Sequence, residues 1–154
     1  MMLKEFVAGT LAFYTGNKVH ATKHFVELGL APLSLDGSKC PTAQDFVQQL
    51  AKTVKFPGTE ITLSILGQEL SNLDWLEGKA FGICITNADL LFKDGNLFQW
   101  QYLLEMAWNI QRNVDELSRP PVSWLLQMDE DKIKPLQQFF NEKLAFKVPI
   151  IAAE

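Results

Sequence analysis

Cysteine, arginine and histidine each occur only twice among the 154 residues. Two cysteines, in neither a Cys-x-x-Cys pair nor a Cys/His ligand run, rule out a multi-disulfide scaffold and leave a structural zinc site without its usual ligand set. Free buried thiols in a reducing compartment are the expected state. Cys84, inside Phe81-Gly82-Ile83-Cys84-Ile85, reads as a small core hydrophobe, whereas Cys40, placed before Pro41 in a turn, reads as the more exposed of the two. Arg112 and Arg119 are the only arginines, the twelve lysines are spread singly, and the formal charge is −4. Phosphate backbones are gripped by clustered Lys and Arg, so nucleic acid is excluded as the main partner. Long apolar runs are missing as well. No stretch approaches the ~18–20 residues that cross a bilayer, and Met1-Met2-Leu3-Lys4-Glu5 lacks the basic-then-apolar build of a secretory signal. A soluble cytoplasmic protein without a membrane partner is expected.

Catalytic signatures are equally scarce. There is no G-x-S-x-G elbow, and Gly58 and Gly67 are not followed by the Lys-Ser/Thr pair of a phosphate-binding loop. Gly9, Gly16, Ala21, Phe25 and Pro32 fall near tetratricopeptide spacing, but no second copy follows, and a repeat array needs about three units. No catalytic residue, cofactor or metal is assigned.

What the chain has is core material. It is 47% hydrophobic, with eleven Phe, four Trp and two Tyr, the composition of a globular domain rather than a disordered segment. A chain of this length buries roughly 68–70% of its unfolded surface and needs no covalent staple, so one domain over 1–154 is expected.

The apolar periodicity divides that domain. A helical part spans about 2–56: two helices joined at Thr15-Gly16-Asn17, the second with Ala21, Phe25 and Leu28 on one stripe, then a loop over 33–41, then a helix opened by Thr42 and Asp45 with Phe46, Val47, Leu50 and Val54 inward. A strand-rich middle spans about 59–100. Ile61, Leu63 and Ile65 alternate with polar neighbours, 72–77 forms a helical turn, and Ala80 to Thr86 is a central strand, apolar on both faces. Leu90-Leu91-Phe92 and Leu97-Phe98 flank Asp94-Gly95 as a hairpin. A long helix over about 100–117 follows, with Trp100, Leu103, Leu104, Met106, Ala107, Ile110, Val114 and Leu117 on its buried arc, stopped by Arg119-Pro120-Pro121. A last strand and a helix, with Ile133, Leu136, Phe140 and Leu144 inward, occupy about 121–146. Strands grouped as a run with segregated helices predict an α+β fold, its mainly antiparallel or mixed sheet of four to five short strands packed by helices from both termini.

Three constellations carry potential chemistry. His20, His24 and Glu27 stand on one helix face as possible metal ligands, but Lys23 shares their arc, which reads as a wet surface. Asp129-Glu130-Asp131 follows a strand, where carboxylates could hold Mg²⁺ but equally complement the positive end of the next helix. Tyr102 and Trp108 fall outside the buried arc of the long helix, and six carboxylates against two arginines lie between 105 and 131. Tyr, Trp and Arg are the types that most often anchor interfaces. The expected site is therefore a negative strip formed by Tyr102, Glu105, Trp108, Glu116, Asp129, Glu130 and Asp131. The expected function is a protein-binding module, an inhibitor, immunity protein or antitoxin that neutralises a basic protein partner by surface complementarity. The alternative is a small-molecule-binding protein or enzyme with an aromatic-lined pocket between sheet and helices.

Overall fold

The structure, a computed structural model, describes residues 2–7, 9–55, 62, 80–117, 122–144 and 146–152, with the side chains of the long helix described as far as Trp108. Among the described residues, five strands form one sheet: β1 (Leu11–Tyr14), β2 (Ala31–Asp36), β3 (Phe81–Thr86), β4 (Val122–Gln127) and β5 (Ile150–Ile151). Their spatial order is β2-β3-β4-β1-β5. Every pairing is parallel, with Leu11 opposite Trp124, Ile83 opposite Trp124 and Leu33 opposite Ile83. The expectation of an antiparallel or mixed sheet is thereby corrected. The physical reason lies in the strands themselves. Phe81–Thr86 and Val122–Gln127 are buried on both faces for all but their last residue, which suits a sheet covered on both sides, as parallel sheets are.

Each crossover carries a helix: α1 (Lys18–Glu27), α2 (Ala43–Thr53), α3 (Leu97–Leu117) and α4 (Glu130–Lys143). The step from β1 to β2 runs across the sheet in one direction and the remaining steps run in the other. Right-handed crossovers then place α1, among the described helices, on one face and α2, α3 and α4 on the opposite face. The cores agree. Ala21 and Phe25 of α1 pack with Ala12, Tyr14, Cys84 and Leu125, while Phe46, Leu50, Trp100, Leu104 and Phe140 pack with Phe13, Ile83, Ile85, Trp124 and Leu126. Gly82 lies under α1, and a Cβ there would overlap the Phe25 ring. The α1 face is completed by the N-terminal segment, which buries Leu3 and Phe6 in the same cluster. That segment is tied to the sheet by a parallel bridge from Met2 to Ala152 and by the Gly9 N–H, which donates to Ser123 Oγ at 2.7 Å.

Several expected elements differ. Residues 2–13 are not a helix but a short 3₁₀ turn (Leu3–Glu5) followed by β1. Residues 31–36, expected as the end of a helix and a loop, form the edge strand β2; Pro32, which cannot donate a ladder hydrogen bond, is tolerated there. The Asp94-Gly95 hairpin is absent. Asn96 instead starts α3: its Oδ1 accepts the Phe98 N–H at 3.0 Å, and Gln99 Oε1 accepts the Asn96 N–H at 3.2 Å, a reciprocal cap. The helices at 18–27, 43–53, 97–117 and 130–143 lie close to the expected positions. The strand expected at Ile61–Ile65 (Thr62 apart), the turn at 72–77, the stop at Arg119-Pro120-Pro121 and the side chains of Ile110, Val114 and Leu117 lie outside the described residues.

Candidate functional site

The C-terminal ends of β2, β3 and β4 are bound into one row. Asn87, held in the left-handed region at φ 48°, donates its backbone N–H to Gln127 Oε1 at 3.1 Å and its side-chain amide to Asp36 Oδ1 at 3.2 Å. Asp36 also accepts from the Ser38 backbone and hydroxyl. Burial pushes the Asp36 carboxyl up, but the bonds from Ser38 and Asn87 and the charge of Lys39 outweigh it and hold it below its ordinary value. The next loop is pinned beside this row. Phe92, also left-handed at φ 59°, donates its N–H to the Cys40 carbonyl, and Asp94 donates to the Pro41 carbonyl. The Phe92 ring meets Phe46 and Trp100 edge-on at 5.5 and 6.1 Å. Between this loop and the first turns of α3 and α4 lies a groove of about 360 Å³, floored by Phe92, Trp100 and Leu136 and rimmed by Asp89, Lys93 and Lys132.

The expected strip divides across this framework. On α3, Phe98 and Tyr102 are 67% and 42% exposed, and Glu105, also exposed, lies one turn further along the same face. Gln101 steadies Glu105 through a 3.2 Å hydrogen bond. Asp129, Glu130 and Asp131 are exposed at the start of α4, near the first turns of α3, because Leu97 and Trp100 share the groove with Lys132 and Pro135. Trp108 belongs elsewhere. Its ring stacks on Phe146 at 4.5 Å and 9°, beside a small cavity of about 90 Å³ lined also by Thr10, Leu11 and Pro149. That places it at the N-terminal end of β1, the opposite end of the sheet from Asp129. The Glu116 side chain lies outside the described residues. Sequence reasoning missed Phe98, which it assigned to a hairpin strand. Its spacing of four residues before Tyr102 and seven before Glu105 was the available signal.

No known protein family and no curated protein matches this chain. The geometry alone therefore limits what each constellation can do.

Both cysteines are fully buried, which corrects the expected exposure of Cys40. Burial, with Asp45 and Asp36 nearby, pushes the Cys40 thiol up to about 11, and burial pushes Cys84 up to about 12. Neutral, inaccessible thiols make poor nucleophiles. His24 Nε2 donates to the Phe6 carbonyl at 2.8 Å, and its Nδ1 lies 3.9 Å from Glu27. One nitrogen of the pair His20/His24 is thus committed to holding the N-terminal segment. Among the described residues, no three His, Cys, Asp or Glu side chains converge on a metal-binding point, and no helix is long and apolar enough to cross a membrane.

Proposed function

We propose that the protein is a binding module of the inhibitor, immunity-protein or antitoxin kind, which neutralises a basic protein partner by docking through the outer face of α3 and the acidic start of α4. The observation that carries this reading is the pair Phe98 and Tyr102, two aromatic rings left exposed one turn apart, with Glu105 exposed on the same helix and Asp129 to Asp131 exposed at the start of α4. Exposed aromatics on one helix and exposed carboxylates on it and on the next suit an interface whose rings fill partner pockets and whose charges steer a basic surface into place. The test uses wild-type protein and a Phe98→Ala/Tyr102→Ala variant as paired baits in native lysate. A basic protein retained by the wild type and lost by an equally stable variant supports the reading; equal retention by both rejects it.

A second reading is favoured by the groove over Phe92 and Trp100, whose volume falls within the size range of small-molecule sites. Mass spectrometry of material released on denaturing the purified protein distinguishes the two, because a stoichiometric small molecule would favour the groove.

A further inference from the structure

The groove of about 360 Å³ has an apolar floor and a rim that carries charges of both signs. Phe92, Trp100 and Leu136 form the floor, and Asp89, Lys93 and Lys132 line the rim. The single polar atom of the Trp100 ring, Nε1, already donates to the Leu91 carbonyl at 3.2 Å, so these three side chains offer an entering group no hydrogen bond. The floor is also held in place. Phe92 stands at φ 59°, a left-handed backbone that a bulky side chain rarely adopts. The Phe92 N–H to the Cys40 carbonyl, the Asp94 N–H to the Pro41 carbonyl and the Gly95 N–H to the Phe92 carbonyl fix the loop around it. Strained backbone of this kind, imposed by its surroundings, clusters where ligands are clamped. The rim charges come from separate elements: Asp89 from the turn after β3, Lys93 from the loop that follows, and Lys132 from the first turn of α4. Among the described residues, none of these three side chains forms an ion pair.

We infer that the groove takes a free amino acid with a large apolar side chain: its ammonium group is met by Asp89, its carboxylate by Lys93 and Lys132, and its side chain by the Phe92–Trp100 floor. The inference rests on the small-molecule reading of the groove, the second of the two above, and names the ligand class. Charge selects the zwitterion. Two lysines against one aspartate disfavour a simple cation at the rim. Asp94 and Asp131, exposed sequence neighbours of Lys93 and Lys132, disfavour a simple anion in turn. A molecule with an ammonium and a carboxylate on one carbon pairs with both kinds of rim group, and its neutral sum suits an acidic edge. The floor selects the side chain. A polar one would lose its water and find no partner on Phe92, Trp100 and Leu136, so the floor admits apolar side chains and rejects polar ones. The volume is in the range of small-ligand sites, and ligands of open parallel sheets enter from this end, outside the carboxyl ends of the strands.

The test is titration of isotope-labelled protein with L-phenylalanine and L-leucine, followed by amide NMR shifts. Two further probes, 2-phenylethylamine and 3-phenylpropanoate, each lack one of the two charges. Saturable shifts around Phe92, Lys93 and Lys132 are expected with the amino acids, and binding at least about tenfold weaker with the other two. Lys93 and Lys132 are exposed and Asp89 is half-buried, so Asp89→Asn and Lys93→Gln/Lys132→Gln leave the floor in place. Each variant should weaken L-phenylalanine at least about fivefold. Asp89→Asn should not weaken 3-phenylpropanoate, and the lysine variant should not weaken 2-phenylethylamine, a crossed pattern that loss of fold does not produce. Amine or acid binding in the groove as tightly as L-phenylalanine overturns the inference and leaves the small-molecule reading standing; unchanged affinity in both variants overturns it equally. If none of the four probes gives a saturable shift at millimolar concentration the inference fails, and denatured protein that releases no stoichiometric compound then removes the small-molecule reading with it.

Discussion

Tyr102 and Trp108 share a helix and an aromatic character, yet their surroundings give them different roles. Trp108 is half-buried and stacked on Phe146, so its removal leaves a gap between α3 and the segment before β5. Trp108→Ala should destabilise the fold by about 1–3 kcal/mol, read as a lowered urea midpoint at unchanged slope. Phe98→Ala and Tyr102→Ala remove exposed rings and should change stability by less than about 0.5 kcal/mol. An equal loss at all three positions would show that the rings of Phe98 and Tyr102 are packed rather than presented. The cysteines give a second residue-scale expectation. A thiol ionises at 9.0 when unperturbed and at about 11 (Cys40) or about 12 (Cys84) in the fold. Below pH 9 both states carry neutral thiols and nothing changes. Above it the unfolded chain gains by ionising while the native chain does not, so stability should fall as pH rises from 9 towards 11–12. Chemical denaturation of the Cys40→Ala/Cys84→Ala variant, compared with wild type across that range, checks it: the double variant should lose less.

At the scale of elements, the Asp36–Asn87–Gln127 row joins three strand ends that no local sequence signal connects. Asn87→Ala removes the amide bond to Asp36 and leaves a Cβ residue in left-handed backbone, and should cost about 1–2 kcal/mol. Asn87→Gly loses the same bond but relieves the backbone, and should cost less. If the two cost the same, the strain at φ 48° contributes nothing. Because the row lowers the Asp36 carboxyl, its stabilisation is present above the ordinary carboxylate range and is lost as pH falls through the lowered value. The row also marks where the sequence stops being legible. The helices were readable because Phe46, Val47 and Leu50, or Trp100, Leu103 and Leu104, repeat at helical period and carry caps at Thr42 and, once placed, at Asn96. The strands β3 and β4 were readable as apolar runs. Leu11 to Tyr14 was not, because a short run buried on both faces has no period to separate it from a helix. Ala31 to Asp36 carries Pro32 and runs into Gly37, which mimics a loop. Sheet direction was hidden for a related reason. It is decided by which strands the crossovers bring together, and β1 pairs with β4, more than a hundred residues away. The site suffered the same loss: the exposure of Tyr102 and Glu105 was readable from α3 alone, but the separation of Trp108 from Asp129 depends on which end of the sheet each occupies.

Across the whole molecule, charge is distributed by face as well as by sum. The C-terminal ends of β2, β3 and β4 and the segments that follow them carry Asp36, Asp89, Asp94 and Asp129 to Asp131 against Lys39, Lys93 and Lys132, whereas Lys4, Lys18 and Lys23 lie on the α1 side with Glu5 and Glu27. Six carboxylates against three lysines leave a net −3 there, so most of the chain's formal −4 meets a partner that approaches the C-terminal edge of the sheet. If docking takes place there, the carboxylates act mainly before contact and the aromatic rings mainly after it. Surface charges are screened within about 8 Å at physiological salt, so raising salt from low to physiological strength should slow association about tenfold and leave dissociation nearly unchanged. Reversing Glu105 to Lys together with Asp129→Asn and Asp131→Asn should reproduce that slowing at low salt and flatten the salt dependence. Tyr102→Ala should do the opposite, leaving association alone and raising the dissociation rate by about tenfold, the equivalent of ~1.4 kcal/mol for a buried interface ring. Surface plasmon resonance with the captured partner separates the two rates. An association rate indifferent to both salt and the charge variant would move the docking surface away from the start of α4, even with Tyr102 still in the interface.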